Sequence, residues 1–339
     1  MDSLTQIVLG AACGEAALGK KIGNKALLFG AIGGTIPDLD VFTSRWLYSN
    51  EIDILASHRG FSHSILFSVL GAFLLGYLIH WLYNRGKRKA TTTRRQWIWL
   101  FFLSLFTHIM LDSFTPYGTQ ILKPFSDFRL AFNNISVVDP FYTIPFLLAL
   151  IVSMFFNRKS EQRRLWLKIG VGISSLYMLF TIGNKFYINS IFRNALLTAE
   201  IEFIRFQTQP TIFNNFLWYG IAETTTNYYV GFYSLFDEKN TIKTWQELPK
   251  NHDLIELNHP DIKTLSWFSN RYFNVIPTDH GQLRFNDLRY PLLSEDDPNS
   301  SVFSFEILKE ATRWNIKPFY SEGLSSEAFS KFMARVRGI

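Results

Sequence analysis

Trp97-Ile98-Trp99-Leu100-Phe101-Phe102-Leu103-Ser104-Leu105-Phe106-Thr107-His108-Ile109-Met110-Leu111-Asp112 is an apolar run that ends on two ionisable residues. Its length and lack of turn residues predict a helix over 97–114. His108 and Asp112 stand four residues apart and share one face of that helix, one turn from each other. A charge near the centre of a bilayer costs at least roughly 2.5 kcal/mol on insertion scales. A divalent metal offsets such a cost, because carboxylates and neutral imidazoles are its usual ligands. The competing reading is a structural His–Asp pair.

Other polar residues interrupt the apolar first half in the same way. Pro37-Asp38-Leu39-Asp40 offers two carboxylates at i, i+2. On a regular helix these point apart, so one binds metal while the other serves as base or supports a ligand. Proline ends or kinks a helix, and an unwound stretch at Pro37 would turn both inward. His58-Arg59-Gly60-Phe61-Ser62-His63 adds two histidines around a possible N-cap at Ser62. His63 is the stronger ligand candidate, and Arg59 is placed to hold an anionic group or to anchor at headgroup level. Asp139, before Pro140, is either a helix N-cap or a further ligand. Glu15, inside the first apolar stretch, is either a residue that orients a ligand histidine or a buried acid bonded to a neighbouring helix.

The chain's net charge of +6 hides two unlike halves, +9 over residues 1–186 and −3 over 187–339. The first half reads as membrane-embedded and the second as a soluble domain. The basic excess therefore reflects membrane topology, and no nucleic-acid partner is read from it. Apolar stretches predict six segments, at about 4–19, 25–45, 62–83, 97–114, 138–157 and 166–186. Fourteen cations fall in alternate loops: Lys20, Lys21 and Lys25; Arg85 to Arg95; and Arg158 to Lys168. The positive-inside rule puts those loops in the cytoplasm and both the N-terminus and the second half outside. Under that topology Asp38, Asp40, His63, His108, Asp112 and Asp139 gather toward the outer face.

Cys13 is the single cysteine, which excludes internal disulfides and a cysteine-based zinc site. There is no G-x-S-x-G elbow, P-loop, HExxH or GxGxxG. In the second half, residues 187–206 read as a helix leaving the membrane. Phe216–Ala222 and Asn227–Leu235 read as a hairpin, with further strands near Tyr272–Ile276, Leu283–Phe285 and Val302–Leu308. His252, His259 and His280 match no metal spacing.

At these residues the chain resembles a bacterial family described as membrane-bound metal-dependent hydrolases, whose founding member is a LexA-regulated inner-membrane protein. The resemblance rests on Met1-Asp2-Ser3-Leu4-Thr5, Gly14-Glu15, Pro37 to Asp40, His58 to His63, His108 to Asp112 and Thr115-Pro116-Tyr117-Gly118, and covers about the first 145 residues. It implies a helical membrane domain with a metal site, and hydrolase activity. The family often carries a histidine after the N-terminal threonine. Gln6 stands there in this chain, which favours a mononuclear site. The order Asp, His, His-x-x-x-Asp is also similar to that of zinc-dependent phospholipase C and the single-strand-type nucleases related to it.

The expectation is an α-helical membrane bundle of about six segments (1–186), followed by a small mixed, mainly β soluble domain (187–339). Asp40, His63, His108 and Asp112 are the leading metal ligands, with His58 and Asp139 as further ones. Asp38 or Glu15 acts as base, and Arg59 faces an anion. Zinc fits the His/Asp mixture, and manganese and iron accept the same donors. The expected activity is hydrolysis of a lipid or lipid-linked ester or phosphoester at the extracytoplasmic face of a bacterial inner membrane. The rivals are an ion-binding or transport protein, since intramembrane acids and histidines also mark ion paths, and a non-catalytic scaffold that retains the metal site.

Overall fold

The structure, a computed structural model, describes residues 1–278, 281–291, 301–310, 312–319 and 326–339; His280 lies outside them. The chain divides into two compact units, Met1–Ser44 with Ser57–Ile182, and Arg45–Ala56 with Gly183–Ile339.

The first unit is helical. Helices α1 (Ser3–Ile22) and α2 (Asn24–Thr35) form its closest pair. Gly10 and Gly14 of α1 meet Gly30 and Gly34 of α2, and a Cβ on any of the four would run into the opposing backbone. Small residues thus let the two helices touch main chain to main chain. A 3-10 turn, Pro37–Leu39, follows α2 and leads into α3 (Asp40–Leu47), bent by 44° from it. Pro37 lacks an N–H and sits at the first position of the turn, which is where proline breaks a helix. After the short α4 (Glu51–Ser57), which belongs to the second unit but for Ser57, a second 3-10 turn, Phe61–His63, precedes α5 (Ile65–Tyr83). Ser64, not Ser62, caps α5, accepting from the Phe67 amide at 3.0 Å. Thr93 and Gln96 form a capping box at the start of α6 (Arg94–Ser113), and Asp139 caps α7 (Pro140–Met154).

The six expected segments are corrected by the structure. Helix α5 and the 38-residue α8 (Glu161–Thr198) are long and apolar enough to span a membrane, and α2 with Pro37–Leu47 makes a third if that bent pair is one span. Helix α1 carries Glu15, Lys20 and Lys21, and α6 begins with Arg94 and Arg95 and ends near His108 and Asp112. Helix α7, with 15 residues, falls short of the roughly 20 that a span needs. Helix α8 also absorbs most of the region read as a separate exit helix.

The second unit holds two four-stranded antiparallel sheets. The first is β1 (Arg205–Pro210), β2 (Leu217–Glu223), β3 (Asn227–Ser234) and β4 (Gln246–Pro249), in that order. The second is β5 (Phe273–Pro277), β6 (Leu283–Asp287), β7 (Ser304–Glu310) and β8 (Arg313–Phe319), also in chain order. Helices α9 (Pro260–Phe268) and α10 (Ser326–Val336) complete it. Ile52 of α4 is fully buried in the apolar cluster of β5–β8, with Ile262, Phe285 and Ile316. Asp53 pairs with Arg313 at 3.0 Å, and the Asn50 amide donates to the Trp314 carbonyl at 2.8 Å. These contacts explain why Arg45–Ala56 groups with the later sequence.

Candidate metal centre

Four side chains from three stretches of the first unit converge. Asp38 comes from the turn after α2, His63 from the turn before α5, and His108 with Asp112 from one face of α6. One ligand atom from each lies within 4.8 Å of the others. The two Nε2 atoms are 3.2 Å apart. His63 Nε2 lies 3.4 Å from Asp38 Oδ1 and 3.4 Å from Asp112 Oδ2. His108 Nε2 lies 3.5 and 3.6 Å from the same two atoms. The side chains of His63, His108 and Asp112 are completely buried, and Asp38 retains 22% exposure.

Neighbouring groups decide which atoms face inward. His108 Nδ1 is 2.6 Å from the Gly34 carbonyl oxygen. A carbonyl only accepts, so Nδ1 carries the proton and a neutral ring turns a bare Nε2 to the site. The bend at Pro37 also brings Asp40 against the second histidine. Asp40 Oδ2 accepts from the Arg59 amide at 2.9 Å and Ser62 Oγ at 3.1 Å, and lies 3.2 Å from His63 Nδ1. His63 Nδ1 also contacts Ser62 Oγ at 3.0 Å. A carboxylate beside Nδ1 fixes its proton there and leaves Nε2 to the site.

Asp112 is shared differently. Its Oδ1 accepts from Gln6 Nε2 at 2.9 Å and from the Met1 nitrogen. Its Oδ2, fully enclosed, has no hydrogen-bond partner among the described residues; Arg59 Nε makes a charge contact at 3.1 Å, and the two Nε2 atoms lie at 3.4 and 3.6 Å. Arg59 itself is 4% exposed and occupies the left-handed region at φ 56°. Such a backbone costs on the order of 1–3 kcal/mol and persists only where its surroundings hold it. Here the amide bond to Asp40, the Nη1 bond to Thr115 Oγ1 at 3.0 Å and the Tyr117 ring 4.6 Å away hold it.

Two imidazole lone pairs and two carboxylate oxygens therefore face one point, with no hydrogen donor among them when both rings are neutral. Arg59 and the Met1 nitrogen offset charge at Asp112, and a cation among the four atoms would relieve the remaining repulsion. In a tetrahedral site with bonds of about 2.0–2.2 Å, ligand atoms are separated by about 3.3–3.6 Å. The five separations that involve a histidine, 3.2 to 3.6 Å, match that edge length, and the two carboxylate oxygens lie within 4.8 Å of each other. An octahedral site with bonds of about 2.0–2.1 Å needs about 2.9 Å between adjacent ligands. The cluster can hold one metal ion.

Other expected site residues fall elsewhere. Asp40 is a neighbour of the four rather than one of them, and Asp38 stands among them. His58 joins Asp40 at 2.8 Å, with a quarter of its side chain exposed. Asp139 is not near a ligand role: it caps α7 and accepts from Tyr177 Oη at 2.9 Å. Glu15 takes the second of its two expected places, a buried acid bonded to a neighbouring helix. Arg163 grips both its oxygens, at 2.7 and 2.6 Å, and nine residues of α1, about 13 Å, separate it from Gln6. Both acids already have strong partners that neutralise or saturate them. The Gly34 carbonyl was not expected in the site, whereas Gln6 stands where the resemblance sets a histidine and gives its amide to Asp112. Gln6 was visible only as a missing histidine, and a backbone oxygen leaves no trace in residue type.

Residues 1–187 match the family described as YdjM inner membrane protein. The chain belongs to this family. All four cluster residues and the side chains that orient them lie within the matched region. The YdjM-type chain is also 26% identical over 307 residues to the Bacillus subtilis (strain 168) protein named "Uncharacterized protein YfhP", covering 86% of this chain and 87% of that one. That likeness is longer than the family match and so reaches into the second unit. The Escherichia coli (strain K12) inner membrane protein YbcI is 34% identical over 151 residues, covering 42% of this chain and 81% of YbcI. No solved structure matches the chain.

Proposed function

We propose that this protein is a metal-dependent hydrolase of the inner membrane, acting on an ester or phosphoester of a lipid or lipid-linked molecule. The observation that carries the reading is the convergence of His63 Nε2, His108 Nε2, Asp38 Oδ1 and Asp112 Oδ2 within 4.8 Å of one another, the histidine nitrogens lying 3.2–3.6 Å from each other and from both carboxylate oxygens. The near-tetrahedral spacing and the mixed nitrogen and oxygen donors favour zinc; manganese and iron accept the same set. When bound, the ion supplies a Lewis acid that polarises the scissile group and acidifies water.

The chain's own residues supply the rest. Gly34 and Asp40 orient the two histidines. Asp38, the one ligand with solvent exposure, marks the side from which substrate enters. His58, held at Nδ1 by Asp40, offers Nε2 to hold or pass a proton between solvent and the site. Arg59 and Arg129 flank the Tyr117 ring at 4.6 and 5.0 Å, which places two positive charges beside the cluster and suits a phosphate-bearing substrate. Phe61, in the same turn as His63, is half exposed, and Phe125 and Phe128 in the loop beyond Gly118 are 84% and 61% exposed. Exposed aromatics beside a site support an interfacial position within reach of lipid.

The topology belongs to the same reading. The cluster lies at the far end of α6 from Gln96, sixteen residues or about 24 Å away, and the loop cations lie toward the Gln96 end. The positive-inside rule then sets the cluster and the second unit outside the cytoplasm in a multi-pass chain. Purified wild-type protein and the His63→Ala variant, incubated with total membrane lipid extract, test the activity. The reading predicts a lipid product released by the wild type and absent with the variant and with chelator. No product from any lipid class in metal-loaded wild-type protein would leave a metal-binding protein without this activity.

A further inference from the structure

A second polar cavity lies at the opposite end of the helical unit from the metal cluster. It measures about 250 Å³ and is walled by the end of α1 and the starts of α6 and α8. Lys20, Lys21, Arg164 and Lys168 line it, with the side chain of Gln96. The acid in its wall is Glu15, and that carboxylate is already gripped at both oxygens by the buried Arg163. Arg164 meets Glu161 at 3.0 Å on the exposed side. Among the described residues, Lys20, Lys21 and Lys168 have no ion-pair partner. Helices α1 and α8 thus bring uncompensated ammonium groups to one recess, and α6 adds the Gln96 amide.

Cations placed only to orient a chain in the membrane need no common cavity, and loop residues satisfy that rule. Here the charges converge from two helices, α1 and α8, on a recess whose wall includes Leu18 and Leu167. Positive groups over an apolar wall suit a phosphate carried on a glycerol and acyl chains. Basic recesses beside membrane helices on the cytoplasmic side, where the topology proposed above sets this end of α8, are where anionic lipid headgroups bind.

We infer that this recess binds the phosphate of an anionic phospholipid through Lys20, Lys21 and Lys168. The shared chemistry is a phosphate anion, which a free phosphate could also supply. The test uses the full chain in neutral detergent, with phosphatidylglycerol, phosphatidylcholine and inorganic phosphate as probes, read by native mass spectrometry. Wild-type protein should retain phosphatidylglycerol over phosphatidylcholine, and the Lys20→Gln/Lys21→Gln/Lys168→Gln variant should retain it roughly tenfold less or weaker still. Wild-type retention should also fall as salt rises from about 0.05 to about 0.5 M, a measurement that needs no variant to fold. Equal retention of the two lipids, salt-insensitive retention, or an unchanged folded triple variant would overturn the proposal. Displacement of phosphatidylglycerol by millimolar inorganic phosphate would assign the recess to free phosphate and overturn the lipid assignment.

Discussion

His108 donates its Nδ1 proton to the Gly34 carbonyl, and that bond decides which nitrogen faces the cluster. Asp40 does the same for His63 through a carboxylate. Removing the charge from Asp40 should loosen the metal without removing a ligand. Asp40→Asn is expected to weaken metal affinity by about 10–100-fold, read by competition with a chromogenic chelator; an unchanged affinity would detach Asp40 from the site. Glu15→Gln has the opposite signature. It strips Arg163, 2% exposed, of its charged partner, and breaking a buried pair costs on the order of 3–5 kcal/mol. Thermal unfolding should therefore fall sharply while metal content stays at the wild-type value. At this scale the spacing of His108 and Asp112 was legible, because a helix period fixes their common face. The choice between Asp38 and Asp40 was not, because the Pro37 bend turns both residues off the regular helix period. Of the two readings open for each, Asp139 takes the N-cap that Pro140 announced and Glu15 the bond to a neighbouring helix, whereas their partners Tyr177 and Arg163 are remote in sequence and leave no local pattern.

Helix α1 lies against α2 because Gly10, Gly14, Gly30 and Gly34 present no side chains to each other. Gly34 serves twice, by allowing the close approach to Gln6 and by supplying the carbonyl for His108. Gly34→Ala should cost about 1–3 kcal/mol through overpacking and lower metal content as well. A melting curve and metal analysis on one preparation check both, and a stable variant with full metal would contradict the packing account. The helices were readable from apolar runs, but their membrane roles were not. Helices α1, α6 and α7 satisfy the eye as apolar stretches, yet their charges or their length set them apart from α5 and α8. In the second unit the β2–β3 hairpin was legible from its aromatic and β-branched run. Strand β1 was hidden in Arg205–Pro210, a polar stretch whose partner strand alone makes it a strand.

The whole molecule carries its charge asymmetrically, and the proposed topology follows from that. A Cys13→Ser background leaves no thiol, so single cysteines report sidedness. Asp127→Cys, beside the cluster end, should react with a membrane-impermeant maleimide in intact spheroplasts, and Arg88→Cys only after lysis. The reverse pattern would invert the topology. The second unit adds a pH dependence. Burial alone raises the Glu223 carboxyl, but Lys250 at 2.8 Å and Arg205 at 2.6 Å overcome it and hold the group below its ordinary value. A depressed carboxyl contributes stability that is complete above the unfolded value near pH 4.3 and is lost as pH falls toward the folded one. Glu223→Gln should flatten that part of the stability curve, measured by circular dichroism between about pH 6 and pH 3. The division into two units was readable from charge and hydropathy, whereas the membership of Arg45–Ala56 was not, since Ile52 and Asp53 find their partners over two hundred residues away.

The central claim is that His63, His108, Asp38 and Asp112 hold a metal ion. Elemental analysis of the protein purified without chelator, beside the His108→Ala/Asp112→Ala variant, tests it most directly. The account predicts one divalent ion per wild-type chain and almost none in a variant that remains folded. Equal metal in the two proteins, or none in either after loading with zinc, manganese or iron, would contradict it.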